Sequence, residues 1–362
     1  MQTLVIADHA FVLRERSLIR RVLVGLADEG LRVRCAIPRS LEESINLDVI
    51  TDVVGYEDRG LVLSRSARVQ RLLARLSAID GEDPQLDIVH VFGGSAWNFG
   101  IDLAKRTNAL AALEVWRPGL ADRARALRSG DARVAFFAPS PGIERALLKE
   151  GAGLLVRLTP WGVHLPKAAH PVLRPGRAAS IMLAGSGRNR ASFLGAFVGA
   201  CNVVAKRAET MLFVDADAAS RTGLWKHARQ AGILDRVSLI DAAEERRDLV
   251  VRADILLYPD NRGEQRTLLL DAMASGMAVI ASADPMVAAL VPDQTARVLK
   301  DPSPETWEAE LHRLLENPDQ ARALAQSARE RIRLDFRAST HIRSIVDAYE
   351  WLTSPDTIPF TR

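Results

Sequence analysis

Short apolar runs alternate with longer amphipathic stretches through the first 165 residues of the chain. Runs such as TLVIA and DIVHVF are rich in β-branched residues, and the stretches between them repeat apolar positions at helical spacing. This alternation is typical of parallel strands joined by helices that cover both faces of a sheet. It predicts strands at residues 3–7, 32–36, 48–54, 87–92, 111–115, 134–138 and 155–159, and helices at 17–29, 66–78, 96–107 and 141–150.

The pattern stops at PKAAHPVLRPGR, residues 166–177, where three prolines and a glycine stand without apolar periodicity, and then it restarts. The second half predicts strands at 180–184, 211–215, 237–240, 255–258, 279–282 and 296–299, and helices at 193–207, 220–232, 244–252, 267–275, 305–316, 318–334 and 340–352. We therefore expect two doubly wound α/β domains, 1–165 and 179–338, joined by a linker at 166–178. A helix and tail at 339–362 would cross back to the first domain.

The amino-acid composition of the chain excludes several classes of protein. With 362 residues, 48% hydrophobic and 26% charged, the chain is globular in character, and a net charge of +3 is too small to indicate nucleic-acid binding. No apolar run approaches the roughly 20 residues that span a bilayer, and the first residues lack the features of a signal peptide. We expect a cytoplasmic protein, and the apolar surroundings of Cys35 and Cys201 predict buried thiols.

Two segments resemble a known family. ADILLYPDNRGEQRTLLLDAMASGMAVIAS, residues 253–282, is similar to the donor-site signature of glycosyltransferase family 4, and LTPWGVHLP, residues 158–166, resembles that family's interdomain stretch. The resemblance implies the GT-B fold, in which two Rossmann-like domains face each other across a cleft and the closing helices return to the first domain. It also implies a nucleotide-sugar donor bound mainly by the second domain, with no metal and no other cofactor.

A glycine-rich loop follows the strand that ends at residue 184. Free amides at Gly185 and Ser186, with the guanidinium groups of Arg188 and Arg190, suit a diphosphate at the carboxyl end of a strand. The alternative is a simple turn with solvated arginines. The resemblance places Arg188 or Arg190 where the family keeps an arginine and a lysine on the donor phosphates, which makes both candidate catalytic residues.

A second candidate phosphate site is the start of the predicted helix at 267–275, because a helix N-terminus presents free amides and a positive dipole end. The candidate contacts in this segment are Glu264, Arg266, Thr267 and Leu268. The resemblance places the family's first glutamate at Gly263, with Glu264 one residue out of register.

Two acidic residues complete the predicted donor site. Asp271 stands where the family's second glutamate binds the ribose hydroxyls, and its apolar neighbours along the helix mean that this carboxylate needs a partner. That partner is either a ligand hydroxyl or a buried structural group. Asp241, after the predicted strand at 237–240, lies where the nucleotide base is expected.

The first domain departs further from the family. The family's glycine-glycine loop after the first strand is replaced by DHAFVLRERS, and Trp116 stands where a histidine near the reacting sugar is usual. His9 is the histidine placed to compensate, although such a residue at a strand end is often structural. Gly93 and Gly94, between a strand and a helix, offer amides to a ligand or serve close packing.

A basic stripe suggests a contact with anionic membranes. Arg65, Arg68, Arg71 and Arg75 lie along one side of the predicted helix at 66–78, as in family members that modify lipid acceptors, although a solvated surface helix has the same pattern. The leading hypothesis is a retaining glycosyltransferase acting on a glycan or lipid-linked acceptor. The alternatives are a glycosyltransferase-like binding or scaffold protein without activity, and an epimerase of nucleotide sugars.

Overall fold

The computed structural model describes residues 1–42, 51–58, 64–127, 133–149, 153–240 and 247–354. The chain divides into two compact units, unit 1 with Met1–Trp161 and Ala338–Arg362, and unit 2 with Gly162–Arg337. Three predicted elements fall partly outside the described residues, at 48–50, 150 and 244–246, as does Asp241.

Unit 1 is built on a parallel sheet with the strand order β3-β2-β1-β4-β5-β6-β7 within the described residues. Its elements up to the boundary are β1 (Gln2–Ala7), α1 (His9–Asp28), β2 (Arg32–Pro38), β3 (Val53–Tyr56), α2 (Arg65–Asp80), β4 (Ile88–Phe92), α3 (Trp97–Thr107), β5 (Leu110–Glu114), α4 (Pro118–Ala126), β6 (Val134–Ala138), α5 (Pro141–Leu148) and β7 (Leu155–Leu158). The order reverses between β1 and β4. A ligand site is expected outside the carboxyl ends of these two strands.

Unit 2 repeats this plan with the order β10-β9-β8-β11-β12-β13 among its described strands. Its elements are β8 (Ala179–Leu183), α6 (Arg190–Lys206), β9 (Thr210–Asp215), α7 (Ala216–Thr222), α8 (Trp225–Gln230), β10 (Val237–Ile240), α9 (Arg247–Val250), β11 (Ile255–Tyr258), α10 (Thr267–Ser275), β12 (Ala278–Ser282), β13 (Arg297–Leu299), α11 (Pro304–Glu316) and α12 (Pro318–Asp335). The corresponding switch point lies between β8 and β11. The core is formed by buried apolar side chains of these strands together with α6, α7 and α11.

The closing helix α13 (Ala338–Thr353) packs against α1 in unit 1. Gly25 makes this contact possible, because a Cβ atom there would overlap the side chain of Ile342. The last helix therefore returns to the first domain as predicted, and the glycine on α1 permits its close approach.

A buried hydrogen-bond network ties α13 to the sheet of unit 1. Nδ1 of His90 lies 2.7 Å from Oη of Tyr349, and Nε2 of His90 lies 3.2 Å from Oε2 of Glu114. The indole N–H of Trp161 donates to the other oxygen of Glu114. All four side chains are at most 2% exposed. Burial and the charge of Glu114 raise the pKa of Tyr349, which therefore stays protonated and can donate to His90.

Asp254 fastens the linker to the start of the unit 2 sheet. Its carboxylate is fully buried and accepts hydrogen bonds from the backbone N–H groups of Ser180 and Leu173, each at 2.8 Å, and from Arg177 at 2.5 Å. Burial alone would raise the pKa of Asp254. Hydrogen bonds from His170, Ser180 and Leu173 outweigh that effect and lower it to about 2, so the group is held as a carboxylate.

The helices and caps confirm several predictions. The helix expected at 267–275 is α10, and Ser140 caps α5, where its side chain accepts from the N–H of Ile143. Both cysteines are free and buried, and burial raises each thiol pKa to about 12.

Two predictions of helix boundaries are wrong. The carboxylate of Asp8 accepts from the N–H of Phe11 and caps α1 at its start, eight residues before the expected position at Ser17. The helix is kinked at Glu15, whose φ of −137° and ψ of 33° are not helical, so the part of α1 after the kink corresponds to the predicted helix. The helix expected at 220–232 is broken into α7 and α8 at Gly223, whose φ of +67° ends α7 in a left-handed conformation.

Candidate functional site

The glycine-rich loop after β8 is tied to the loop after β11 at the unit 2 switch point. The N–H of Ser186 donates to Oδ2 of Asp260 at 2.7 Å, and the Ser186 hydroxyl donates to Oδ1 at 2.9 Å. A Cβ atom on Gly185 would lie 3.1 Å from Oδ1 of Asp260, so glycine permits this close approach. The Ser186 amide is therefore used by Asp260 in this structure.

The same two loops are joined again by charged and polar side chains. Nη1 of Arg188 lies 2.5 Å from Oε1 of Glu264, and the amide of Asn189 donates to Asn261 at 2.9 Å. Glu264 is buried, whereas the Arg188 side chain is 36% exposed. Arg188 therefore combines a buried counter-charge with a solvent-facing side chain, and a phosphate that binds it has to compete with Glu264.

Arg190 points elsewhere. It is the first residue of α6, and its Nε donates to the carbonyl oxygen of Thr222 at the end of α7. Arg221, on α7, takes a place beside the loop instead and donates to the Ser186 carbonyl oxygen at 2.7 Å. The structure thus brings Arg188 and Arg221 to the glycine-rich loop and holds Arg190 against α7.

The start of α10 is held by acidic and basic residues from outside the helix. The N–H of Gly263 donates to Asp284 at 2.6 Å. Nη1 of Arg247 donates both to Thr267 Oγ1 at 2.6 Å and to Asp271 Oδ2 at 2.7 Å, and the side chains of Arg247 and Asp271 are only 9% and 13% exposed. Asp271 therefore has a structural partner, and Arg247 links it to the first residue of the helix.

Buried carboxyl groups surround this edge of the sheet. Burial raises the pKa of Asp260, against the opposing charge of Arg266 and the hydrogen bonds from Ser186. Burial likewise raises the pKa of Asp215 and of Asp284. The nearby hydroxyl of Tyr258 is buried without a hydrogen-bond partner among the described residues. The edge combines cations and a helix N-terminus suited to an anion with carboxyl groups suited to sugar hydroxyls.

At the switch point of unit 1 an acid and a serine are also paired, but their positions are exchanged relative to Ser186 and Asp260 of unit 2. The carboxylate follows the first strand here, and Oδ2 of Asp8 accepts from the N–H of Ser95 at 3.0 Å and from its hydroxyl at 2.7 Å. Gly93 has a φ of +94°, and a Cβ atom there would overlap the Asp8 carboxylate. The carbonyl of Gly94 accepts from Arg123 at 2.7 Å. These contacts account for both glycines by packing, and a ligand role for Gly93 and Gly94 stays a prediction.

His9 and Trp116 lie in different surroundings. His9 is the half-buried first residue of α1, and its ring has no hydrogen-bond partner in the described part of the chain. Trp116 is buried, with its ring edge-on to Phe11 at 6.0 Å between centroids and the Arg117 guanidinium 5.3 Å from its centroid. An aromatic cluster fills the place of the family's histidine, and the role of His9 stays a prediction.

The arginines of α2 bind partners within unit 1. Arg65 pairs with Asp102 at 2.5 Å, Arg71 pairs with Glu57, and Arg75 donates to the Gly55 carbonyl oxygen at 2.6 Å. Anionic lipids that bind these arginines would have to replace these ion pairs and hydrogen bonds. Among the described residues, no helix is long and apolar enough to cross a bilayer.

Both units of the chain are similar to known proteins. Residues 201–331 match the sequence family described as Glycosyl transferases group 1. Sucrose-phosphate synthase from Thermosynechococcus elongatus superposes with a TM-score of 0.73 at 17% identity, over 97% of this chain and 99% of its own. A glycosyltransferase from Rickettsia africae gives 0.71 at 13% identity, over 98% and 99%. Anabaena HepE, solved with UDP and glucose, gives 0.70 at 11% identity, over 97% and 99%. The chain has the GT-B fold.

No curated protein sequence matched the chain. In this GT-B chain, the group 1 match begins inside α6 and ends inside α12. It therefore covers six of the predicted donor-site residues, which are Asp241, Glu264, Arg266, Thr267, Leu268 and Asp271. The glycine-rich loop precedes the match, and the predicted contacts of unit 1 lie outside it.

Several residues that build this candidate site were not predicted from the sequence. Asp260 and Asp284 each follow a strand and hold a neighbouring loop, whereas Arg221 and Arg247 come from α7 and α9. An acid directly after a strand could have been noticed, because this is where ligand sites form. Nothing local distinguishes Arg221 or Arg247 from the other arginines. Across the described residues, no group of three or more His, Cys, Asp or Glu is arranged to bind a metal ion.

Proposed function

We propose that this protein is a retaining glycosyltransferase, of the family 4 type, that transfers a sugar from a nucleotide-sugar donor to a glycan or lipid-linked acceptor. The observation that carries the proposal is the meeting of the Arg188 loop with the N-terminus of α10 at the switch point of unit 2. The group 1 match over 201–331 and the UDP and glucose bound to HepE support a nucleotide-sugar donor.

In this proposal the donor diphosphate lies between Arg188 and the amides of Thr267 and Leu268. Arg188 exchanges Glu264 for the phosphate, and the positive end of α10 stabilises the charge that grows on the leaving diphosphate. Arg190 would add charge from the start of α6. Fixed cations and dipoles do this without a metal ion.

The other predicted residues recognise the rest of the donor. Asp271 accepts hydrogen bonds from the ribose hydroxyls, and Asp241, outside the described residues, lies near the base. Gly185 and Ser186 shape the phosphate loop. His9 acts near the reacting sugar, and the amides of Gly93 and Gly94 contribute to binding the donor.

A second candidate function is a binding or scaffold protein that keeps the nucleotide pocket without turnover. Two observations favour it: the ion pair of Arg188 with Glu264, and the aromatic cluster of Trp116 where the family has a histidine. Incubation with a panel of nucleotide sugars separates the two candidates. Release of nucleoside diphosphate with retained anomeric configuration supports the transferase, and binding without any release supports the scaffold.

We expect Arg188→Ala to weaken binding of a nucleoside diphosphate by about 1.5–3 kcal/mol, which is roughly 10- to 150-fold, because a hydrogen bond to a charged group is lost. Calorimetric titration with UDP, GDP and ADP measures this. Arg229→Ala is the matched control, since Arg229 is an exposed arginine of the same unit whose side chain makes no hydrogen bond or ion pair to the described residues. Equal affinity of both variants and the parent chain would remove the loop from the donor site.

We expect Asp271→Asn to lower both nucleotide affinity, about tenfold, and the melting temperature, because the amide loses the charge of the Arg247 pair and a charge-assisted acceptor. Arg247→Gln provides the comparison, since it removes the pair and leaves the carboxylate. It should lower the melting temperature similarly while retaining more affinity. If Asp271→Asn destabilises the protein without loss of affinity, Asp271 is a structural residue only.

A further inference from the structure

A cavity of about 730 Å³ lies in unit 2, near the amino ends of the strands, whereas the candidate donor site lies at their carboxyl ends. Its walls are the linker at 169–175, Gly276 at the end of α10, and α12. The helix α10 begins at the donor site with Thr267 and ends at this cavity, where β12 starts. The cavity and the candidate donor site therefore lie at opposite ends of the strands. The volume is within the range of small-molecule sites.

The charged side chains that line the cavity are basic. They are the guanidinium groups of Arg174, Arg322 and Arg329, with His170 beside them, and no acidic residue is among the described lining residues. Arg329 donates to two backbone carbonyl oxygens, those of Ala274 and Pro166, so no counter-charge cancels it. Positive charge is thus concentrated in this cavity.

The other two arginines differ in how they are held. Arg322 donates to the carbonyl oxygens of Val172 at 3.2 Å and Leu173 at 3.0 Å, and a third bond goes to the exposed Asp319 at 2.6 Å. Arg174 is exposed, and its side chain has no hydrogen bond or ion pair to the described residues. One cation is therefore available to a ligand without the loss of an existing contact.

The wall that carries Arg174 is held in a defined shape. Leu173 has a φ of +48°, a conformation that is unfavourable for a branched side chain. It is kept there because its N–H donates to the buried carboxylate of Asp254 and its carbonyl accepts from Arg322. Asp254 also pairs with Arg177 and with His170 of the lining, and it is not itself one of the lining residues.

We propose that this cavity binds a phosphate monoester of a small, weakly polar molecule. Several guanidinium groups around one space match the charge and the acceptor oxygens of a phosphate dianion. Pro171, Val172 and Ala325 form apolar parts of the walls that suit a compact carbon skeleton. The site is separate from the proposed donor site and does not depend on the chemistry assigned there.

Calorimetric titration of the full chain with phenyl phosphate tests this proposal. We expect saturable binding at one site, at least threefold tighter than inorganic phosphate and absent with benzyl alcohol. Arg174→Ala should weaken binding at least tenfold, and it should fold normally because the side chain is exposed and makes no polar contact that would be lost. Gln326→Glu, which places a negative charge on the lining at constant size, should also weaken binding at least tenfold.

Two control variants locate the bound phosphate. Arg229→Ala, on an exposed face of α8, should leave phenyl phosphate affinity unchanged, and so should Arg188→Ala in the donor loop. Loss of binding in Arg188→Ala would place the phosphate in the donor site and overturn the proposal. Absence of binding, equal loss in Arg174→Ala and Arg229→Ala, or equal affinity for phenyl phosphate and inorganic phosphate would overturn it as well.

Discussion

Asp254→Ala should lower the free energy of unfolding of unit 2 by about 3 kcal/mol, because partly buried N–H donors lose an acceptor that is fully buried. The substitution removes the acceptor of two backbone N–H groups and of the Arg177 guanidinium at the point where the linker joins the sheet. Differential scanning calorimetry should show a melting temperature lower by roughly 10 °C. Asp248→Ala is the control, since Asp248 is exposed and has no such partner among the described residues.

The same carboxylate predicts sensitivity to acid. Its pKa is about 2 in the folded chain against an ordinary value of 3.8, so its ionised form stabilises the folded state at any pH above about 4. That contribution, about 2 kcal/mol, is lost as the pH falls through 4 towards 2. In denaturant titrations over this range, the parent chain should lose more stability than Asp254→Asn. Identical pH profiles would show that Asp254 does not supply this stability.

Glu114→Ala should destabilise unit 1 by about 4 kcal/mol, because two buried donors, on His90 and Trp161, lose their acceptor and a cavity opens in the core. The effect should reach α13, since His90 also holds the hydroxyl of Tyr349. Hydrogen exchange of the α13 amides, followed by mass spectrometry, should therefore accelerate together with the fall in melting temperature.

The control for this network is Glu82→Ala, an exposed glutamate of unit 1 without such contacts in the described chain. Tyr349→Phe isolates the far end of the network and should cost less, about 1 kcal/mol, because one hydrogen bond is lost without a change in volume. Unchanged exchange of α13 in Glu114→Ala would show that the helix is held by its apolar contacts alone.

The amino-acid sequence was sufficient to predict the layered α/β class, two similar units and most of their strands. These follow from local periodicity, because helix and strand patterns place apolar side chains on one face within a few residues. It also located α10 between Thr267 and Ser275 and the cap at Ser140, since caps and breaks act within one turn of the chain. The resemblance at 253–282 predicts that unit 2 binds the donor.

Which charged groups meet depends on the order of the strands in the sheets. Ser186 and Asp260 are 74 residues apart, and Arg188 and Glu264 are 76 apart, and each pair comes together because β8 and β11 are neighbours in the sheet. Arg247 reaches Asp271 for the same kind of reason. The strand order brings loops that are distant in sequence together at the carboxyl ends of the strands. The partner of an acidic residue therefore cannot be found from the residues next to it in the sequence. The tertiary structure thereby decided that Arg188 is paired and that Arg190 is held against α7.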